Sequence, residues 1–257
     1  LEIALKDTHP PALIKRSHSE IKNAIDEHDL FSNFRPEKNT LNIRSIKALK
    51  MLYKNGLQQL VLELTRECNL NCSYCFTSGR YFHDKKSPRQ MSPATCKKAI
   101  DFFHERANFA GEPHITFYGG EPLLRFDLIK EAVHYAKAKP DGHHYKFNLT
   151  TNGTLINHEH LDFFIRNDFN FLVSLDGPKK VNDRYRLFKD GKGTFNRIME
   201  MLAFIKSYDN EYYKRNVSIS SVFTPPYDDV VEIIDFFSHD EIVKDIKDKN
   251  SSSAVYT

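Results

Sequence analysis

Five short β-rich runs recur along this chain, each followed by a loop and then by a stretch with helical periodicity. They are "LVLELT" from Leu60, "HITFY" from His114, "KFNLT" from Lys146, "FLVSL" from Phe171 and "VSISSVF" from Val217. A parallel strand needs a crossover long enough to hold a helix, so the alternation predicts βα units around a parallel sheet, an α/β fold. The helices are legible too. "SPATCKKAIDFFHERA" opens with Ser92 as N-cap and Pro93 at the first helical position, and sets Ala99, Ile100, Phe103 and Ala107 near one face. Similar periodicity covers "LIKEAVHYAKA", "EHLDFFIRN", "FNRIMEMLAFIKS" and "DDVVEIIDFF". After the last of these the chain runs into the polar "SSSAVYT" with no sixth β-run, and an open sheet edge would need covering. The expectation is a barrel of this type that is incomplete at its C-terminus.

Residues 1–57 differ in character. A capping box from Ser17 to Glu20 precedes "IKNAIDEHDLF", and "IRSIKALKMLYKNG" stops at Gly56. The expected organisation is a helical N-terminal appendage over 1–57 and a barrel domain over 58–257. The appendage reads as a cap packed on the barrel, with a separate peptide-binding module as the alternative.

At 257 residues the chain can bury a core without covalent staples, so its four cysteines have no evident structural duty. A reducing cytoplasm is the expected location. No apolar run is long enough to span a bilayer, and the N-terminal residues lack the apolar stretch of a signal peptide. A net charge of +3, with lysine and arginine scattered among acids, argues against a nucleic-acid partner.

Three of the four cysteines, Cys68, Cys72 and Cys75, fall in "LTRECNLNCSYCF". Thiols at this spacing are poorly placed to pair with each other. A structural zinc site takes four protein ligands, and the spacing supplies three. His83 is the nearest fourth candidate, while Cys96 lies within a predicted helix as a half-buried small residue. An iron–sulfur cluster held by three thiolates keeps one iron open, the mark of a catalytic site.

Later loops supply partners for such an opening. "YGGEP" follows the second β-run: Gly119 and Gly120 would let backbone approach a ligand, and Glu121 would offer a carboxylate to an ammonium group. "LTTNG" follows the third and "SLDGP" the fourth, both also readable as plain strand-to-helix turns. In barrels of parallel strands function gathers at the carboxyl ends, and here four successive ends carry unusual residues. Asp176 reads either as a catalytic carboxylate on the substrate side of this rim or as a turn cap. Phe76, Phe117, Val222 and Phe223 would form an apolar shield.

From about Leu60 to about Phe223 the sequence resembles radical S-adenosylmethionine (radical SAM) enzymes. The carriers are the C-x3-C-x2-C spacing with Tyr74 before the last cysteine, the GGEP segment, and "SLDGPKKVNDRYRLFKDGKGTF". The resemblance is to the SPASM-type branch, most closely to maturases of ribosomally made peptides, with anaerobic sulfatase-maturing enzymes as cousins. It implies a partial (βα)6 TIM barrel. It also implies one [4Fe–4S] cluster on Cys68, Cys72 and Cys75, with S-adenosylmethionine chelating the open iron. The cluster would be strongly reducing, toward the low end of the roughly −700 to +450 mV range.

By the same resemblance Gly119, Gly120 and Glu121 hold the methionine amine, and Asn152 and Ser174 bond the ribose or carboxylate. Arg186 steadies the carboxylate, with Arg184 as the competing choice, and Tyr74 lies against adenine. A peptide or protein substrate and an electron donor such as flavodoxin or ferredoxin are the implied partners. The implied reaction is thioether or carbon–carbon crosslinking; a non-catalytic iron–sulfur or peptide-binding module is the other reading. Two departures stand out: Asn182 replaces a histidine common in the branch, and no cysteine follows Cys96, so the branch's auxiliary clusters have no ligands here.

Overall fold

The computed structural model describes residues 56–75, 89–107, 111–140, 144–224 and 229–246, the backbone of 249–252, and scattered helical positions before residue 56. The chain divides into two compact units, Leu1–Ala48 and Leu49–Thr257, ahead of the boundary read from the sequence. In the first unit Pro11, Ala12, Lys15, Arg16, Ser19, Lys22 and Asn23 are helical. Ser17 and Glu20 of the expected capping box lie outside the described residues, as does most of the second expected helix.

In the second unit β1 (Gln59–Thr65) leads to α1 (Pro93–His104), then β2 (His114–Gly119) and a 3-10 turn, Pro122–Arg125. There follow α2 (Phe126–Lys137), β3 (Lys146–Thr151), α3 (His158–Arg166) and β4 (Phe169–Ser174). The short α4 (Lys179–Tyr185), α5 (Phe195–Tyr208) and the short α6 (Asn210–Asn216) precede β5 (Val217–Val222), and α7 (Val230–His239) precedes β6 (Lys249–Ser252). Among the described residues six strands form one sheet in chain order, every neighbouring pair parallel. This is the partial barrel expected.

The sixth strand corrects the sequence reading. "KNSS" lacks the branched and aromatic side chains that mark strands, so propensity alone is silent there. Backbone pairing decides instead: Ser220 faces Asn250 and Val222 faces Ser252 along β5. The two short helices α4 and α6 were also missed, being too brief to show a period.

The expected start of α1 is found. Ser92 Oγ accepts a hydrogen bond from Thr95 N at 3.1 Å, and Pro93 opens the helix. One face of the sheet lies under the helices and carries Leu62, Leu64, Ile115, Phe117, Phe147, Leu149, Phe169, Phe171, Val173, Val217 and Ile219, all buried. Phe117, Phe147 and Phe169 stack across three strands, with centroids 5.4–6.5 Å apart. Burying each such ring contributes about 1.5–3 kcal/mol. Phe117 therefore belongs to this core and not to the apolar rim assigned to it from sequence.

The opposite face is polar. Gln59 Nε2 donates to Thr116 Oγ1 at 2.8 Å, Asn148 Nδ2 to Thr116 Oγ1 at 3.3 Å, and Asn170 Nδ2 to Asn148 Oδ1 at 3.1 Å. Asn216 continues the row to Asn170 Oδ1 at 3.2 Å. The strand residues Thr116, Asn148 and Asn170 are in register, so one rung of amides and hydroxyls crosses the inner face.

Candidate functional site

The loop after β1 brings the three cysteines to the carboxyl ends of the strands. It is stitched in place by the segment behind α4: Asn71 N donates to Leu187 O at 2.8 Å, Ser73 N to Tyr185 O at 3.1 Å, and Leu70 bridges Phe188. Leu70, Cys72 and Tyr74 are buried together, with Cys68, Cys75, Tyr185, Phe188 and Val222 packed around them. The rim thus has a small apolar core of its own. Val222 sits where the sequence reading put it, against the cysteines, whereas Phe223 packs on the main core and Phe76 lies outside the described residues.

Burial pushes the Cys68 thiol up to about 11 and raises Cys72 as well, while the nearby Arg186 cation works the other way on Cys72. Cys68 Sγ accepts from Leu70 N at 3.4 Å and from Asn152 Nδ2 at 3.7 Å. Thiols that are costly to ionise alone, yet already supplied with N–H donors, suit ligation by cationic iron. Among the described residues no three His, Cys, Asp or Glu side chains are grouped to hold a metal ion. In a cubane each thiolate serves a different iron, so its ligands need not converge on one point; the donor set fits a cluster. His83, the alternative fourth ligand, lies outside the described residues.

The GGEP segment packs against the root of the cysteine loop. Gly120 N donates to Thr65 O at 2.7 Å and Glu121 N to Glu67 O at 2.8 Å. A Cβ at Gly119 would stand 2.3 Å from Thr65 O, and one at Gly120 2.2 Å from Glu67 O. The close approach seen at these glycines is to the chain's own backbone.

Glu121 is fully buried, and its oxygens accept from Leu123 N at 3.0 Å, Thr151 Oγ1 at 2.8 Å and Asn152 N at 2.9 Å. Burial lifts its carboxyl to about 7, against the pull of those donors. The carboxylate ties the β2 loop to the β3 loop. Asn152 in turn holds Asn69 Oδ1 at 2.9 Å, while its own Oδ1 accepts from Thr154 N at 2.9 Å. Ser174, at the end of β4, is half-buried beside its register partner Ser220.

At the β4 end Asp176 is buried. Its Oδ2 accepts from the Tyr74 hydroxyl at 2.5 Å and lies 3.0 Å from Arg186 Nε, an ion pair without good hydrogen-bond alignment. Arg186 also sits over the Tyr74 ring, 5.4 Å from its centroid. Burial works against the Arg186 cation, but Asp176, Tyr74 and Cys72 together outweigh it and the pKa ends raised. Arg184 takes a different partner, Asp229 Oδ2 at 2.6 Å. Of the two arginines, Arg186 is the one at the cysteine loop.

Residues 62–237 match the Radical SAM superfamily. The chain belongs to this superfamily. It is 33% identical over 163 residues to the cysteine-type anaerobic sulfatase-maturating enzyme of Clostridium novyi, covering 61% of this chain and 42% of that protein. It is 32% identical over 166 residues to the mycofactocin maturase MftC of Mycolicibacterium smegmatis, covering 63% and 38%. The solved structure of native anSMEcpe with bound AdoMet and Cp18Cys peptide superposes with a TM-score of 0.59 at 25% identity, covering 77% of this chain and 50% of that one. The chain spans half the length of these proteins or less. Radical SAM membership, with neighbours that hold AdoMet, gives the cofactors as a [4Fe–4S] cluster and S-adenosylmethionine.

Several residues of this radical SAM site hold roles that the sequence did not assign, Asn182 standing out there only as a replacement for histidine. Asn69 joins Thr154 Oγ1 at 2.8 Å to Asn152, and fully buried Asn182 supports Asp176 N through its Oδ1 at 3.3 Å. Asn182 Nδ2 also donates to Thr194 Oγ1, whose hydroxyl donates to Arg186 O at 3.0 Å. The signal was present in "CNLNC", "TNGT" and "GKGTF", whose short polar side chains cap loops, but their partners are remote in sequence.

Proposed function

We propose that this radical SAM domain initiates modification of a peptide, forming a thioether or carbon–carbon crosslink in a ribosomally made precursor. The observation that carries the reading is the three-thiol loop, fastened at the carboxyl ends of the strands beside Asn152, Ser174 and Arg186. When bound, the cluster and S-adenosylmethionine together supply one-electron cleavage of a carbon–sulfur bond and, from it, hydrogen-atom abstraction from substrate. Cys68, Cys72 and Cys75 would hold the iron. Arg186 and Ser174 would bind the cofactor carboxylate or ribose, with Asn152 helping to orient it. Gly119 and Gly120 would meet the amine through backbone carbonyls, since the Glu121 oxygens already have three donors. Tyr74 would flank the adenine. Leu70, Phe188 and Val222 pack around the buried Cys72, while Cys68 and Cys75 stay partly exposed.

A peptide substrate is favoured because the relatives named above are maturases and one structural neighbour holds a peptide. The sulfatase-maturing similarity favours a second reading, a radical SAM enzyme of the anaerobic sulfatase-maturing type. Membership of the SPASM-type branch, a flavodoxin or ferredoxin donor and a cytoplasmic site complete the proposal; among the described residues no helix is long and apolar enough to cross a membrane. Anaerobic loading with iron and sulfide, followed by assay with a chemical reductant, tests it. 5′-Deoxyadenosine should form, rise on addition of a cysteine-containing precursor peptide, and vanish when Cys68, Cys72 or Cys75 is replaced by alanine. Metal uptake without 5′-deoxyadenosine would leave a binding module and defeat the enzymatic reading.

A further inference from the structure

Asp176 lies two residues beyond the end of β4, on the rim, yet it is only 2% exposed. Its carboxylate touches three parts of the chain: Tyr74 from the cysteine loop, Arg186 from the segment behind α4, and, through Oδ1, Val222 N at 3.1 Å from the end of β5. Its own carbonyl accepts from Ser221 Oγ at 3.1 Å. A general acid or base must reach the atom it serves, and these oxygens are turned into the protein.

We propose that Asp176 is a positioning residue of the cluster site: it fastens the cysteine loop between the ends of β4 and β5 and neutralises the Arg186 cation buried behind that loop. The inference rests on the cluster reading above. Removing one partner of a buried ion pair strands the other charge, which is far costlier than losing both. The amides of Asn71 and Ser73 pair with Leu187 and Tyr185, which sets Arg186 opposite Cys72, so an unpaired guanidinium there would stabilise the reduced, more negative cluster and raise its potential. The paired carboxylate cancels that field and keeps the cluster strongly reducing.

The full chain is compared with Asp176→Asn, Tyr74→Phe, Arg186→Gln and the double variant Asp176→Asn/Arg186→Gln. In metal-free protein, hydrogen exchange is followed at Asn71 and Ser73, whose amides pair with Leu187 and Tyr185. After cluster loading, the midpoint potential is measured without S-adenosylmethionine by EPR-monitored titration. Asp176→Asn and Tyr74→Phe should speed exchange about tenfold or more. Asp176→Asn should shift the potential positive and Arg186→Gln negative; the double variant should return toward wild type, and Tyr74→Phe should leave the potential in place. Unchanged exchange in both single variants overturns the fastening role. Potentials that do not separate by charge, or a double variant no closer to wild type than Asp176→Asn, overturn the neutralising role. If Asp176→Asn fails to fold, Tyr74→Phe and Arg186→Gln still decide the two roles. A wild-type chain that takes up no cluster defeats the cluster reading instead, and the exchange measurement still decides the fastening.

Discussion

Replacing Gly120 with alanine should destabilise the domain at the point where two functional loops meet. The added Cβ would lie 2.2 Å from Glu67 O, 2.6 Å from Glu67 C and 2.8 Å from Arg66 O, all backbone atoms that cannot swing away. Relief requires a shift of about 1 Å, judged against ordinary van der Waals separation. That shift breaks the bonds from Gly120 N to Thr65 O and from Glu121 N to Glu67 O. Two hydrogen bonds at about 1 kcal/mol each, with about 2 kcal/mol for residual overpacking, oppose a gain of about 0.7 kcal/mol from the stiffer unfolded chain. The net is a loss of about 3 kcal/mol, or about 6–12 °C in Tm for a domain of this size. Urea unfolding of the metal-free protein measures it without reference to catalysis, and iron uptake by Gly120→Ala should fall in parallel. A variant as stable as wild type would show that the loops do not approach each other as described.

Glu121 gives a pH-dependent test. Burial lifts its carboxyl from 4.5 to about 7, so the folded state binds this proton more tightly than the unfolded state does. The stability linked to it is complete below about pH 4.5 and is lost as pH rises through about 7, a change of about 2.5 kcal/mol between pH 5 and pH 8. Glu121→Gln cannot titrate, so the stability difference between wild type and variant should move by that amount in favour of the variant; parallel pH profiles would refute it. Neighbouring residues on β3 test the two faces of the sheet. Phe147→Ala should cost about 3–5 kcal/mol, whereas Asn148→Ala, on the half-exposed inner face, should cost about 1 kcal/mol. Similar losses in urea unfolding would mean that the inner face is packed like the outer one.

The strand-and-helix alternation was readable because the first five strands are short runs rich in apolar, β-branched or aromatic residues, and because Ser92 and Pro93 mark the start of α1 chemically. Strand β6 was not readable, since "KNSS" acquires its conformation from pairing with β5 and not from its own side chains. The cysteine loop announced itself through spacing alone. Which arginine stands beside it did not: Arg184 and Arg186 are two residues apart, and only the path of the chain after α4 sends one to Asp229 and the other to Asp176. Glu121 and Asp176 were legible as carboxylates on the rim, but sequence cannot say whether such a group faces outward or accepts donors from its own chain. Both do the latter.

Wholly parallel sheets usually have both faces covered, and their strands then read as unbroken apolar runs. Here burial alternates along β3, β4 and β5, and the face away from the helices carries a row of Gln59, Thr116, Asn148 and Asn170 where apolar layers fill a closed TIM barrel. Filling that space with leucine or valine would add hydrophobic stabilisation, so its polarity has a cost that the helix-covered face must offset. The partly exposed Tyr118 and Thr150 stand above the amide rung on this same face, toward the cysteine loop. Tyr118 is near enough to Cys75, Glu63 and Arg186 to feel their charges, which places the polar wall and the thiols in one continuous surface. A one-sided core of this kind sets a polar inner face beside the cysteine loop, an arrangement that a closed apolar core would forbid.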